Sequence, residues 1–163
     1  MATVSTSYRA SSNLTVTNLH SIAASGAWTS GWVSGIIDNT SNLDLDKAVS
    51  AKFVPAAATT GEIRVYAMAM LDDSNWPAML SAGTMGTEGT ATMTSAEVRD
   101  ANVVPLWSSV TTATSTKSMP QTSLRAAFGG ILPPKVVLFV AISGSALSTG
   151  NQVTVFGYTE TIA

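Results

Sequence analysis

No cysteine occurs anywhere in the 163 residues, which removes disulfides, thiolate metal ligands and cysteine nucleophiles together. Charge is scarce too: Asp, Glu, Lys and Arg make up 11% of the chain, against about 25% in an average globular domain. The net charge of −2, with Lys and Arg scattered, leaves no electrostatic footprint for nucleic acid and no polybasic membrane anchor. The longest strongly apolar run, Val136 to Ile142, is far too short to span a bilayer. The opening MATVSTSYRASSN has neither a basic region nor an apolar stretch, so the expectation is a soluble protein made in a cytoplasm. His20 is the sole histidine, with no carboxylate or second histidine close by in sequence. A Ser-His-Asp triad would have to use it, and no nucleophile elbow exists: GWVSG at 31–35 places its serine one residue late. P-loop and GxGxxG patterns are absent as well, and an enzyme is not expected.

Serine and threonine stand where charge is missing. A surface of hydroxyls and small residues packs readily on neighbours because few charges must be desolvated. The length suggests one domain, in which folding buries roughly 70% of the unfolded surface. Residues 1–12 are polar and small and read as a flexible arm or peripheral strand, with residues 13–163 forming a single β-sandwich domain.

The strands come in order. Asn13 to Ile22 alternates. Gly26 to Ile37 puts Trp28, Trp32 and Ile36 on one face, with Ser30 and Ser34 between them. DNTSN at 38–42 is a turn by composition. Leu43 to Val54 alternates most cleanly: Leu43, Leu45, Val49, Ala51 and Phe53 point inward, and Asp44, Asp46, Ala48, Ser50 and Lys52 outward. Lys47 breaks the pattern near the strand's start, where it can reach solvent. Gly61 to Leu71 directs Ile63, Val65, Ala67, Ala69 and Leu71 inward. Met68 and Met70 on its other face imply cover by a loop or another subunit. Residues 72–100 are the longest irregular stretch, with Gly-Thr at 83, 86 and 89, and are read as an exposed loop that carries partner contacts. Pro105 places the 102–110 strand at a sheet edge or bulge.

Few residues could carry chemistry. Asp38, Asp44 and Asp46 are spaced somewhat like a calcium loop, but the required Gly and Glu are missing. Asp72 and Asp73 with Glu88 are the sole candidates for a glycosidase pair, and adjacent aspartates on a turn are usually solvated. Trp28 and Trp32 could stack on sugar, though core or interface is the favoured role. No cofactor or metal site is expected.

Gly129 to Tyr158 reads as a closing hairpin. Its first strand has no wet face: Val136, Leu138, Val140 and Ile142 oppose Val137, Phe139 and Ala141. One face fills the core, so the other needs a cover, either the chain's own 111–130 segment or a neighbouring subunit; the subunit is the expectation. About eight strands, uneven loops and no helix long enough to cover a sheet favour an all-β, jelly-roll-like β-sandwich.

Three stretches carry a family resemblance: GAWTSGWVSGIIDNTSNLDLDKAVSAKF, GEIRVYAMAMLDD and AFGGILPPKVVLFVAISGSALSTGNQVTVFGYTET. Together they resemble the small jelly-roll proteins that decorate or cement the capsids of tailed bacteriophages, over residues 22–160 and by pattern alone. The resemblance implies a non-enzymatic structural protein of the virion's capsid surface. Its partners would be the major capsid protein and further copies of itself, in trimers or similar clusters. The candidate subunit or shell interface is Trp28, Trp32, Met68, Met70, Trp76, Met85, Val137 and Phe139. The alternative is a carbohydrate- or receptor-binding module of fibre or adhesin type, using the tryptophans and the 83–95 loop.

Overall fold

The computed structural model describes residues 4–72 and 74–162. In chain order its first strands are β1 (Val4–Tyr8), β2 (Ser12–Asn13), β3 (Ser30–Val33), β4 (Ile37–Asp38), β5 (Asp46–Phe53) and β6 (Gly61–Ala69). An excursion follows, with β7 (Leu80–Ala82), β8 (Gly89–Met93) and the short helix α1 (Ala96–Asn102). The chain closes with β9 (Val104–Thr111), β10 (Lys117–Ser123), the single helical turn α2 (Leu124–Ala127), β11 (Lys135–Ile142) and β12 (Gln152–Ile162).

Two antiparallel sheets result. One runs β1-β12-β5-β10, with β2 pairing β12 beyond β1; the other runs β7-β8-β3-β11-β6-β9, with β4 pairing β11 beyond β3. Take β1, β3, β5, β6, β9, β10, β11 and β12 as first to eighth. The sheets then read first-eighth-third-sixth and second-seventh-fourth-fifth, the double Greek key of a jelly roll. The expected all-β sandwich is therefore the fold. The strands beyond about eight are continuations of β1 and β3 and the inserted β7-β8 hairpin.

β11 organises the core because its residues are β-branched, aromatic or small, and both of its faces are buried. Val136, Leu138, Val140 and Ile142 enter the space between the sheets. There they join Trp32, Ile63, Val65 and Ala67 from their own sheet, and Val49, Phe53, Val153 and Val155 from the facing one. Each large apolar side chain taken fully from water contributes about 1.5–3 kcal/mol, so this layer supplies most of the driving force. Val137, Phe139 and Ala141 point the other way into a second cluster with Val33, Tyr66, Met68, Met79, Ala91 and Met93. Gly31 lets β3 run close to β11: a Cβ there would lie 2.2 Å from the Val140 carbonyl oxygen.

Several local expectations change. Val4–Tyr8 is a strand paired residue by residue with Tyr158–Ile162, the peripheral-strand reading of this segment, and so belongs to the sandwich that was expected to start at residue 13; residues 1–3 lie outside the described residues. Trp28 is off the strand, in a turn with φ of 59°. The next irregularity is at 34–36, where the Ser34 hydroxyl accepts the Leu138 N–H at 2.9 Å in place of a backbone oxygen. That substitution keeps β3 and β4 on β11 and turns Ile36 outward, 39% exposed.

β5 begins at Asp46, three residues later than its alternation predicts, because Asn39 clamps the preceding loop. Its side-chain amide donates to the Asp44 carbonyl and its Oδ1 accepts the Asp44 N–H, each at 2.9 Å. The loop closes with Leu43 at a φ of 49°, so Leu43 swings out, 78% exposed, while Asp44 turns in. Leu45 is also exposed, and Ala48 is buried on the outer side of its sheet. Leu71 lies beyond the end of β6, in a turn closed by its N–H donating to the Asn75 carbonyl, and is exposed.

Candidate functional surface

Six of the eight proposed interface residues do come together: Trp28, Met68, Trp76, Met85, Val137 and Phe139 all belong to the second cluster. Their meeting place is inside one chain. Residues 74–103 extend the sheet beyond β3 with the β7-β8 hairpin, and with the segments on either side of it they supply Trp76, Met79, Leu80, Met85, Met93, Val98 and Val103 to this cluster as its lid. Met68, Val137 and Phe139 are fully enclosed. The subunit expected to cover β11 is thus replaced by the chain's own excursion, and the expected 111–130 alternative is not the cover either. Trp32 is also enclosed, in the main core, while Met70 sits half-buried beyond β6 near Pro134 and Lys135. Sequence patterning identified the right apolar face and the wrong occupant, since alternation marks burial without saying which segment does the covering.

The lid is latched by Glu88. Its carboxylate accepts the Trp32 indole N–H at 2.7 Å, and the backbone and side-chain N–H groups of Asn18 at 2.8 and 2.7 Å. Burial pushes this carboxyl up, but the hydrogen bonds from Trp32 and Asn18 outweigh it and hold the group below its ordinary value. Asp72 is occupied in its own turn, accepting from the Ser74 and Asn75 N–H groups at 2.8 Å each; Asp73 lies outside the described residues. Both carboxylates are engaged in hydrogen bonds that hold the local structure. Arg64 lies 4.0 Å over the Trp28 ring, so that tryptophan is engaged from above.

The acidic turn behaves differently from a calcium loop. Asp44 is buried and receives Lys47 Nζ at 2.9 Å and Arg9 Nε, which closes one end of the sandwich with an ion triad. Lys47 is buried in that pair, where a solvent-reaching side chain had been expected. A Cβ on Gly157 would come within 2.6 Å of Asp44 Oδ2, so β12 makes room for the carboxylate. Burial raises the Asp44 carboxyl, and the hydrogen bonds and charges of Lys47 and Arg9 more than reverse this. Asp38 caps its own turn through Thr40 and Asp46 accepts the Arg125 N–H, so the three aspartates do not converge. Among the described residues no group of three His, Cys, Asp or Glu side chains could hold a metal ion. The His20 ring nitrogen meets Asn151 at 3.1 Å.

One exposed apolar surface lies at the β1 end. Tyr8 is 74% exposed and stands edge-on against Tyr158, centroids 4.9 Å apart. Ser7, Tyr8, Arg9, Asn42, Leu43 and Leu45 line an open groove there with Thr159 and Glu160. No family model matches the chain, and no curated protein or solved structure matches it either. The surface is therefore read from its own chemistry: two exposed leucines and a tyrosine beside an uncharged strand edge. Sequence reading missed it because VSTSY was left open between an arm and a peripheral strand and Leu43 was taken for a core residue. The β-forming Val, Thr and Tyr of that segment were the available signal.

Proposed function

We propose that this chain is a non-enzymatic structural protein of a bacteriophage virion, one that decorates or cements the capsid through its sandwich edges and loops. The observation that carries the reading is the jelly-roll strand order, an architecture used by viral capsid and lectin domains among others. It agrees with the pattern resemblance of the closing hairpin and with a surface poor in charge and rich in hydroxyls. In this reading the major capsid protein and copies of the chain itself are the partners, and many modest contacts add up on a symmetric shell. For the alternative, a carbohydrate-binding module, Trp28 and Trp76 offer only the parts of their rings left exposed where they pack against the second cluster.

The test is co-sedimentation of the purified chain with shells assembled from the major capsid protein of the same genome. Saturable binding at a fixed number of copies per capsomer is the expected result. A chain that stays in the supernatant with both immature and expanded shells refutes the proposal.

A further inference from the structure

The outer strands of the two sheets are not built alike. β9 carries Pro105 and a register shift against β6, and β10 carries Lys117, Pro120 and a shift against β5. β7 is three residues long and shifted against β8. Each of these features keeps a sheet edge from accepting another strand. Within Val4–Tyr8, β1 has none of them: VSTSY contains no proline and no charge, pairs β12 in a single register, and ends the strand order of its sheet, the one-residue shift of this edge falling beyond it, between Tyr8 and Ser12. Every residue from Ser5 to Asn13 is exposed.

Hydrogen-bond alternation tells which backbone groups are free. The Arg9 N–H donates to the Gly157 carbonyl at 2.9 Å, so residues 9, 7 and 5 turn their backbone groups toward β12. On the far side of β12 the Leu45 N–H donates to the Tyr158 carbonyl, in keeping with the same alternation. The N–H and C=O groups of Val4, Thr6 and Tyr8 therefore point away from the molecule.

We infer that two copies of this chain pair through β1, antiparallel about a two-fold axis at Thr6, and join their β1-β12-β5-β10 sheets into one. The occupant is a second copy because the edge is complementary to itself. Free groups at residues 4, 6 and 8 fall opposite those at 8, 6 and 4, and such an isologous contact closes on two subunits. Charge does not oppose it. The nearest cation, Arg9, is turned onto Asp44. Glu160 shares the Thr6 row, and three strand spacings would separate it from its copy by about 14 Å, beyond the screening length of about 8 Å in physiological salt. This inference stands apart from the capsid reading: a dimer that binds no shell supports the one and overturns the other.

The experiment is sedimentation velocity of the full chain from about 10 μM to about 1 mM, a range that captures weak pairing. A reversible monomer–dimer equilibrium is expected. Thr6→Pro removes one outward N–H and leaves the β1-β12 ladder intact, so dimerisation weakens at least tenfold while the melting temperature holds. Thr6→Lys serves the same purpose if the proline variant misfolds. Across the two-fold axis the Thr6 Cα atoms would be about 5.5 Å apart, within the roughly 4.4–6.8 Å that a disulfide spans. In a chain without cysteine, Thr6→Cys then oxidises to a covalent dimer, whereas Ser5→Cys, opposite Ser7, stays reduced. A chain that remains monomeric throughout, a dimer indifferent to both Thr6 variants, or equal cross-linking at 5 and 6 overturns the inference.

Discussion

Phe139→Ala asks whether the outer face of β11 belongs to the monomer. Phe139 has no exposed surface, its ring centroid lies 6.3 Å from that of Tyr66, and Met68, Met79 and Met93 belong to the same buried cluster. A buried phenylalanine withdraws about 150–250 Å² from water, worth roughly 4–6 kcal/mol at about 25 cal/mol per Å². Allowing for a compact unfolded chain brings this to about 3–5 kcal/mol, the usual range for truncating a core phenylalanine. Urea unfolding followed by tryptophan fluorescence, in the Thr6→Pro background so that edge pairing plays no part, measures the loss. The shift is expected to be the same at low and high protein concentration, because the lid is part of the same chain. A loss below about 1 kcal/mol, or a midpoint that moves with protein concentration, would mean that another copy covers this face, and the account of the second core would fail.

Four further outcomes follow from the geometry. Gly31→Ala forces a Cβ against the Val140 carbonyl oxygen, 2.2 Å away, and should cost about 3 kcal/mol or more in the same urea assay. Glu88→Gln replaces an acceptor facing three N–H donors and should cost about 1–3 kcal/mol. Faster hydrogen exchange at the Asn18 and Trp32 indole N–H groups reports it, and unchanged protection there contradicts the latch. Although burial raises it, the folded-state pKa of Asp44 lies below its ordinary value of 3.8, because the hydrogen bonds and charges of Lys47 and Arg9 outweigh that burial. Its contribution is therefore present above that value and lost as pH falls through the lower folded one. Asp44→Asn should flatten the fall in stability below about pH 4 and, by stranding Lys47, cost about 3–5 kcal/mol at pH 7; an unchanged acid limb in thermal melts contradicts this. Leu43→Gly relieves a left-handed backbone at an exposed position and should stabilise by about 1 kcal/mol, visible as a higher melting temperature.

The fold class and the central strand were legible in the order of residues. Alternation in β5 and β6 named Val49, Ala51, Phe53, Ile63, Val65 and Ala67 correctly as core, because a half-buried strand must alternate. The unbroken run at 136–142 could only be a strand covered on both faces. The same patterning could not say what lay over Val137, Phe139 and Ala141, since burial leaves one signature whether the cover is a loop or a subunit. Sequence likewise gave Leu43 and Leu45 to the core, because apolar residues on the right period look buried until Asn39 clamps the loop and turns them out.

Tertiary structure decided the rest through contacts between residues far apart in the chain. Glu88 became a latch only when Asn18 and Trp32 were brought to it. Asp44 became a buried ion-triad centre only when Arg9 and Lys47 met over Gly157. β1 became a free edge only when β12 paired it on one side and no other described strand on the other. Hydrophobic period is a local property and is written in the order of residues. The partner of a polar group, and the vacancy of a sheet edge, are set by which distant segments the fold places side by side.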